Sequence, residues 1–317
     1  MLTYLVKRSI MTLLVLLVVI LFLSLLVEIV PGDPAVALLG PRASPALIEK
    51  IRAEMDLDQP ALVQAGRFLG RVTRGDLGKD VFTGKSINDL IRNALPHTLI
   101  LAWTSLALAV VIGIPLGIYS ATHPGHWLDR VTTLISISFI TIPPYVAGLF
   151  LLLLFAVQWK VLPALGAGKL SDPGDYLAHL VLPVVALAIT WIGYLARLVR
   201  ASMLEVLNEN YIRAARAAGV SQPRIFYKYA LKNALIPTIA ILGVGIGSLM
   251  GGAVFVEVIF NRPGMGTLIY NAILSRNYPV VRAGVLVVAF LFVATNLVAD
   301  FVYTWLDPRV QLGKKQG

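Results

Sequence analysis

The stretch Glu205-Val206-Leu207-Asn208-Glu209-Asn210-Tyr211-Ile212-Arg213-Ala214-Ala215-Arg216-Ala217-Ala218-Gly219-Val220-Ser221-Gln222-Pro223 separates two long apolar runs, and its reading decides the architecture. Alanine and arginine are strong helix formers, and they fill the chain from Arg213 to Ala218. Gly219 is a helix stop signal, with left-handed backbone expected there because only glycine adopts it without cost. Ser221-Gln222-Pro223 then restarts the chain as a cap followed by an early proline. The expectation is a short basic helix, a sharp bend, and a second helix running into the next apolar run. A simple turn would be shorter. A helix laid across a membrane surface suits a lever that docks in a groove on a soluble partner and passes movement to the spans.

The flanking composition is that of a membrane protein. The chain is 57% hydrophobic and 14% charged, with mean hydropathy +0.80. So few charges cannot cover a soluble surface, whereas a surface facing lipid needs almost none. Six stretches reach the length of about 20 apolar residues that a span requires: about Ser9–Val30, His97–Thr122, Val131–Val157, Leu177–Leu198, Ile236–Val258 and Gly284–Leu306. The first is longer than a signal-peptide core and lacks a small-residue cleavage site, so it reads as a retained helix. The chain divides into residues 1–30 with the first span, an outer subdomain at 31–95, a five-helix core at 96–306 with a connecting loop at 199–235, and a tail at 307–317.

Net charge is +10. In a soluble protein that balance would suggest nucleic acid; here it reads as Lys and Arg gathered in cytoplasmic loops. Arg197, Arg200, Arg213, Arg216, Arg224, Lys228 and Lys232 crowd one loop against Glu205 and Glu209, which places that loop inside. Both termini are then cytoplasmic and residues 31–95 external. Arg262, Arg276 and Arg282 fit less well, because this topology puts them outside.

Several residues are candidates for a translocation path or gate. Pro143 and Pro144 fall midway through the third span and should kink it. Gly243, Gly247 and Gly251 recur every four residues in the fifth, where another helix could approach closely or a mobile face could line the path. Asp300 is the acid set well within a span, and reads either as a functional group or as a structural ion pair. Glu28 and Glu257 lie near span ends, where exposure to water is cheap.

Little suggests chemistry on the chain itself. There are no cysteines, which excludes disulfides and thiolate sites. His123 and His126 have ligand-like spacing but only Asp129 nearby, a poor metal set. Gly84-Lys85-Ser86 has the end of a phosphate-binding loop, but Lys79 stands where the first glycine belongs. No nucleotide site, metal site or cofactor is expected, so the energy for any transport must come from a partner.

At this point the residues resemble a family. Ala214, Ala215 and Gly219 match the Ala-Ala-x-x-x-Gly core of the EAA loop of bacterial ABC importer permeases. Arg213 replaces that family's Glu and Lys232 a later Pro. Both departures look like the dipeptide/oligopeptide permease branch, whose loop reads Tyr-x-x-x-Ala-Arg-Ala-x-Gly, as Tyr211 to Gly219 does. Pro31-Gly32-Asp33-Pro34, Gly75-Asp76-Leu77-Gly78, Leu95-Pro96-His97-Thr98, Arg262-Pro263-Gly264-Met265-Gly266 and the run from Asn296 through Asp300 to Asp307-Pro308-Arg309 resemble that branch too. Asn277 stands where the branch often has Asp. The long segment after the first span resembles the B-type permease of the pair.

The resemblance implies an all-α integral membrane protein of type I ABC importer architecture in the bacterial inner membrane. It implies membrane lipid around it and three kinds of protein partner: a second, C-type permease, two ATPases that bind ATP and Mg, and an external substrate-binding protein. Glu205, Tyr211, Arg213, Ala214, Ala215, Arg216 and Gly219 would face the ATPases. Short peptides are the expected solute, with nickel chelates, glutathione and oligosaccharides as alternatives. A non-ABC channel would have no need of such a lever.

Overall fold

The computed structural model describes residues 2–29, 34–40, 43–169 and 171–306. Its helices are α1 (Leu2–Ile29), α2 (Pro34–Leu39), α3 (Pro45–Glu54), α4 (Ala61–Val72), α5 (Ile87–Thr122), α6 (Trp127–Thr141), α7 (Pro144–Gln158), α8 (Pro173–Leu207), α9 (Asn210–Ala217), α10 (Gln222–Ile259), α11 (Met265–Leu274) and α12 (Tyr278–Leu306). Among the described residues there is no strand, only an isolated bridge from Lys79 to Ser86. Five helices are long and apolar enough to cross a membrane, and six crossings result if the bent pair α6–α7 counts as one. The tail at 307–317 lies outside the described residues, as do Pro31, Gly32 and Asp33 of the first resemblance motif.

The third expected span is not a kinked helix but a broken one. α6 and α7 meet at 104°. A residue preceding proline is pushed out of the helical region toward extended backbone, and here two in succession precede prolines. Ile142 lies at φ −81°, ψ 118° and Pro143 at φ −60°, ψ 142°. The Thr190 hydroxyl of α8 donates to the carbonyl of Ile142 at 3.3 Å, holding the break. The second half of α7, Leu152–Gln158, is a π-helix.

The chain forms two compact units. The first comprises residues 1–98 and 262–293. Its core joins Ile20 of α1, Ala65 and Phe68 of α4, Ile87 and Ile91 of α5, Met265 and Ala272 of α11, and Val280 and Ala283 of α12. The segment 31–95 therefore shares its core with a segment far along the chain. Helices as short as α2 to α4 bury too little apolar surface to stand by themselves. Arg282, which fits poorly as an outer-loop charge, is 5% exposed in this unit. Its position follows from packing, not from the charge rule.

The second unit comprises residues 99–261 and the chain from 294, with α8 at its centre, packed on α6, α7 and α10. α5 also approaches α8 closely. A Cβ on Gly117 would lie 2.6 Å from the Ala196 carbonyl oxygen, and one on Gly113 2.9 Å from that of Ile192. The close-approach glycines that matter most to this contact are thus in the second span. The Gly243, Gly247, Gly251 series does not form one packing stripe. A Cβ on Gly243 would lie 2.0 Å from the Ala299 Cβ, whereas one on Gly251 meets nothing within 4 Å. Gly247 is buried. Gly245, off that series, is the residue against which the Trp191 ring of α8 packs.

Candidate functional site

The expected loop at 199–235 is mostly helix. α8 continues through Leu207 and α10 begins at Gln222, leaving α9 and its two short links between them. α9 is eight residues long, too short to be stable alone, so its tertiary anchor defines its position. That anchor is Ile212, 0% exposed, packed among Ala121, Val199, Met203, Leu207, Ile225, Ala230 and Ala234. A second tie runs through Tyr211: Asn233 Nδ2 donates to its hydroxyl at 2.8 Å.

The end of α9 is fixed by its backbone. The Val220 N–H donates to the Ala215 carbonyl at 3.1 Å and the Gly219 N–H to that of Arg216 at 3.0 Å. Gly219 sits at φ +77°. These two bonds and the left-handed residue make a Schellman ending, as the sequence led one to expect. Ser221 does occupy the start of the next helix in extended backbone, but its side chain makes no capping bond; Pro223 in the first turn has no N–H to satisfy.

α9 therefore has two faces. Arg213, Ala214, Arg216, Ala217, Ala218 and Gly219 are exposed, as is Glu205 on the last turn of α8. Ala215 is half-buried against the cluster around Ile212, so it lies at the edge of the exposed face. Tyr211 is 41% exposed, with its hydroxyl turned to its own chain.

Close by in the same unit, Arg200 donates Nε to Asp129 Oδ1 at 2.7 Å and Nη2 to Oδ2 at 3.0 Å. The Gly125 N–H also donates to Asp129, at 3.0 Å. This two-pronged pair straps the α5–α6 turn onto α8. Asp129 thus serves Arg200, while His123 stacks on Tyr119 with centroids 4.6 Å apart. Arg200, counted among the loop charges that orient the chain, is also a structural cation.

Of the residues expected along a path, Pro143 and Pro144 make the α6–α7 break, and Gly251 is exposed on α10. Glu257, expected to be wet at a span end, is 0% exposed. The side chains of Asp300 and Glu28 lie outside the described residues.

In the first unit two of the resemblance motifs meet. The buried Thr98 hydroxyl accepts from the Met265 N–H at 2.8 Å, joining Leu95-Pro96-His97-Thr98 to Arg262-Pro263-Gly264-Met265-Gly266. Asn277 is delivered by a second Schellman ending, at α11, in which the non-glycine Arg276 takes φ +55°. Its Nδ2 donates to Asp80 Oδ1. Burial pushes the Asp80 carboxyl up, but hydrogen bonds from the Thr83 hydroxyl, the Phe82 and Thr83 N–H groups and Asn277 outweigh it and hold the pKa below the usual value. A folded-state pKa below the unfolded one adds stability above the unfolded value, lost as pH falls through the folded one. Asn277→Asp reverses the sign. Two buried carboxylates in contact must share a proton, so one pKa rises. The variant is expected to lose on the order of 3 kcal/mol at pH 7 and to regain part of it on acidification toward pH 5, read as the thermal midpoint of the purified protein. Equal midpoints for variant and wild type at pH 7 would contradict the Asp80–Asn277 contact.

The sequence matches two family descriptions. Residues 113–312 match the binding-protein-dependent transport system inner membrane component, and residues 1–102 match its N-terminal counterpart. The chain belongs to this family of ABC transporter permeases. Among relatives of this permease is the probable D,D-dipeptide transport system permease protein DdpB of Escherichia coli, 41% identical, with 90% of this chain and 91% of that one covered. A probable peptide ABC transporter permease of Sinorhizobium fredii is 35% identical over 97% of this chain and 99% of its own length. A glutathione transport system permease, GsiC of Shigella flexneri, is 35% identical over 98% and 99%. Among solved structures, the inward-facing MetNI methionine ABC transporter superposes with TM-score 0.57 at 21% identity, over 69% of this permease and 96% of that chain. That likeness fixes the fold as the type I importer permease.

Sequence reasoning missed Ile212, Asn233 and the Asp129–Arg200 pair. Ile212 carried a usable signal: it is the large aliphatic residue in an otherwise basic and alanine-rich helix, so it marks the inward face.

Proposed function

We propose that this permease carries short peptides across the bacterial inner membrane as the B-type half of a pore completed by a C-type permease. Two ATPases would bind and hydrolyse ATP with Mg, and an external binding protein would deliver the solute; this chain itself would catalyse no reaction. The observation that carries the reading is α9, a short basic helix with an exposed face, fixed to its own chain by Ile212 and Gly219. Such a helix is a rigid contact for a moving partner, with Arg213, Ala214 and Arg216 on the contact surface and Glu205 beside it. Peptide as solute is supported by the names of the dipeptide and peptide relatives. The glutathione relative favours one second reading, a glutathione permease.

The deciding experiment is purification of the complete transporter with its binding protein and identification of the ligand that protein retains. A di- or tripeptide with ordinary α-peptide bonds supports the reading, glutathione, with its γ-glutamyl bond, favours the second one, and a sugar or metal chelate overturns both. Orientation is tested separately: both termini are expected inside and residues 31–95 outside. A cysteine placed at Asp76 should react with an impermeant maleimide in intact spheroplasts, and one at Gly317 should not. The reverse labelling pattern would invert the topology and remove α9 from the cytoplasm.

A further inference from the structure

A cavity of about 780 Å³ opens in the first unit, between α3, α4, the turn at 76–84 and the start of α12. Its size falls in the range of small-molecule sites. Arg282 lines it while remaining 5% exposed. The guanidinium lies over the Phe68 ring, 5.5 Å from its centroid, and donates Nη2 to Gln64 Oε1 at 3.0 Å. Its buried Nε has no hydrogen-bond partner among the described residues, and neither has that of Arg71, which also lines the cavity.

The neighbouring negative charge is already committed. Asp56 Oδ1 accepts from Arg67 at 3.1 Å, and Oδ2 accepts from both terminal nitrogens of Arg71 at 3.0 and 3.1 Å. Asp80 is taken up by Thr83, Phe82 and Asn277, and Asp76 Oδ1 by the Gly78 N–H. Arg282 has no ion pair among the described residues, and Lys79 adds a further cation at the lining. Asp56 is the negative charge that acts on Arg282, opposed by that of Arg71; a buried cation whose counter-charge is shared with two other arginines is costly, and a guanidinium is shaped to hold a carboxylate or a phosphate through paired N–H donors.

We propose that this cavity is an oxyanion-binding site, with Arg282 at its base and Arg71 and Lys79 at its wall. The oxyanion is either a carboxylate of a small solute or the phosphate of an anionic lipid headgroup, which, unlike that of phosphatidylcholine, has no quaternary ammonium attached to balance its charge. The site belongs to the first unit and α9 to the second, and the proposal holds whether or not the transported solute is a peptide.

The test uses the full permease pair in nanodiscs, with the thermal unfolding midpoint as readout. In discs of phosphatidylcholine alone, L-alanyl-L-alanine is titrated against its C-terminal amide at constant ionic strength. A second set of discs contains phosphatidylglycerol and no dipeptide. A solute carboxylate is the occupant if the free acid raises the midpoint and the amide does not. A headgroup phosphate is the occupant if phosphatidylglycerol raises it. In either case Arg282→Gln should abolish the response, and Lys79→Gln should weaken it about tenfold in the concentration or lipid fraction required, as expected for loss of one charge-assisted contact. Should Arg282→Gln fail to assemble, Lys79→Gln decides alone. No shift with either probe in the wild type, or an undiminished shift in Lys79→Gln, overturns the proposal.

Discussion

Gly219→Val is expected to abolish transport and loosen the ATPases while leaving membrane insertion and pairing with the second permease intact. The reason is conformational. A Cβ on Gly219 meets nothing within 4 Å among the described residues, so valine clashes with none of them. The cost arises because φ +77° is a region that a side-chain-bearing residue enters only at about 1–2 kcal/mol, and a β-branched residue worse than most. The bonds from Val220 to Ala215 and from Gly219 to Arg216 depend on that conformation. Losing them unwinds the end of an eight-residue helix and shifts the exposed Arg216 and Ala217. Any valine that does adopt the strained conformation projects its side chain from an exposed position on the proposed contact face. Gly219→Asn separates the two causes, because asparagine tolerates left-handed backbone. It should retain the helix end and a substantial share of transport. The measurement is solute uptake into proteoliposomes together with retention of the ATPases on the affinity-purified permease. Wild-type uptake and ATPase retention in Gly219→Val would remove the lever role from α9.

That the bend at Gly219 was legible in sequence, and much else was not, has a physical cause. A helix stop is local: glycine supplies the positive φ, and the residues that close the motif are its neighbours. The double proline at Pro143 is equally local, but its consequence exceeds the kink that a single proline implies. One proline inside a helix kinks it, whereas consecutive residues forced into extended backbone end it, and a 104° bend follows. The Asp129–Arg200 pair bridges a separation of 71 residues, and no local pattern announces such a partner. Gly243 and Gly251 were grouped by their spacing of four, which assumes one neighbour along the whole face. In fact α12 lies against Gly243, and no atom of the described residues lies within 4 Å of a Cβ on Gly251. Glu257 was judged by depth along its helix alone, and burial depends on what packs around it. The α9 surface was read from the same kind of pattern, with Ala214 and Ala215 taken together. They are adjacent in sequence, about 100° apart around a helix, and only Ala214 is exposed.

Ile212 is the residue on which the coupling reading makes its sharpest demand. It is fully buried, and its neighbours come from α5, α8 and both ends of the α10 entry: Ala121, Val199, Met203, Leu207, Ile225 and Ala234. On the proposed coupling role, a displacement of α9 would reach three membrane helices through this one residue. Truncation to alanine removes buried methyl and methylene groups and leaves a void, at about 2–5 kcal/mol for a core isoleucine. Most of that loss falls on the docking of α9, because the surrounding helices keep their mutual contacts and α9 has little stability of its own. Arg213, Ala214 and Arg216 would remain available to the ATPases. Ile212→Ala is therefore expected to leave the ATPases attached and hydrolysing while transport falls, so that the solute moved per ATP hydrolysed drops by roughly tenfold or more, a change corresponding to about 1.4 kcal/mol of lost coupling. Arg213→Ala, on the exposed face, should act in the opposite way: a modest, salt-sensitive loss of ATPase attachment with an unchanged ratio for the complexes that form. Both ratios are measured in proteoliposomes containing the complete transporter. If Ile212→Ala keeps the wild-type ratio, then movement does not pass through this contact, and α9 is an attachment point without being a lever.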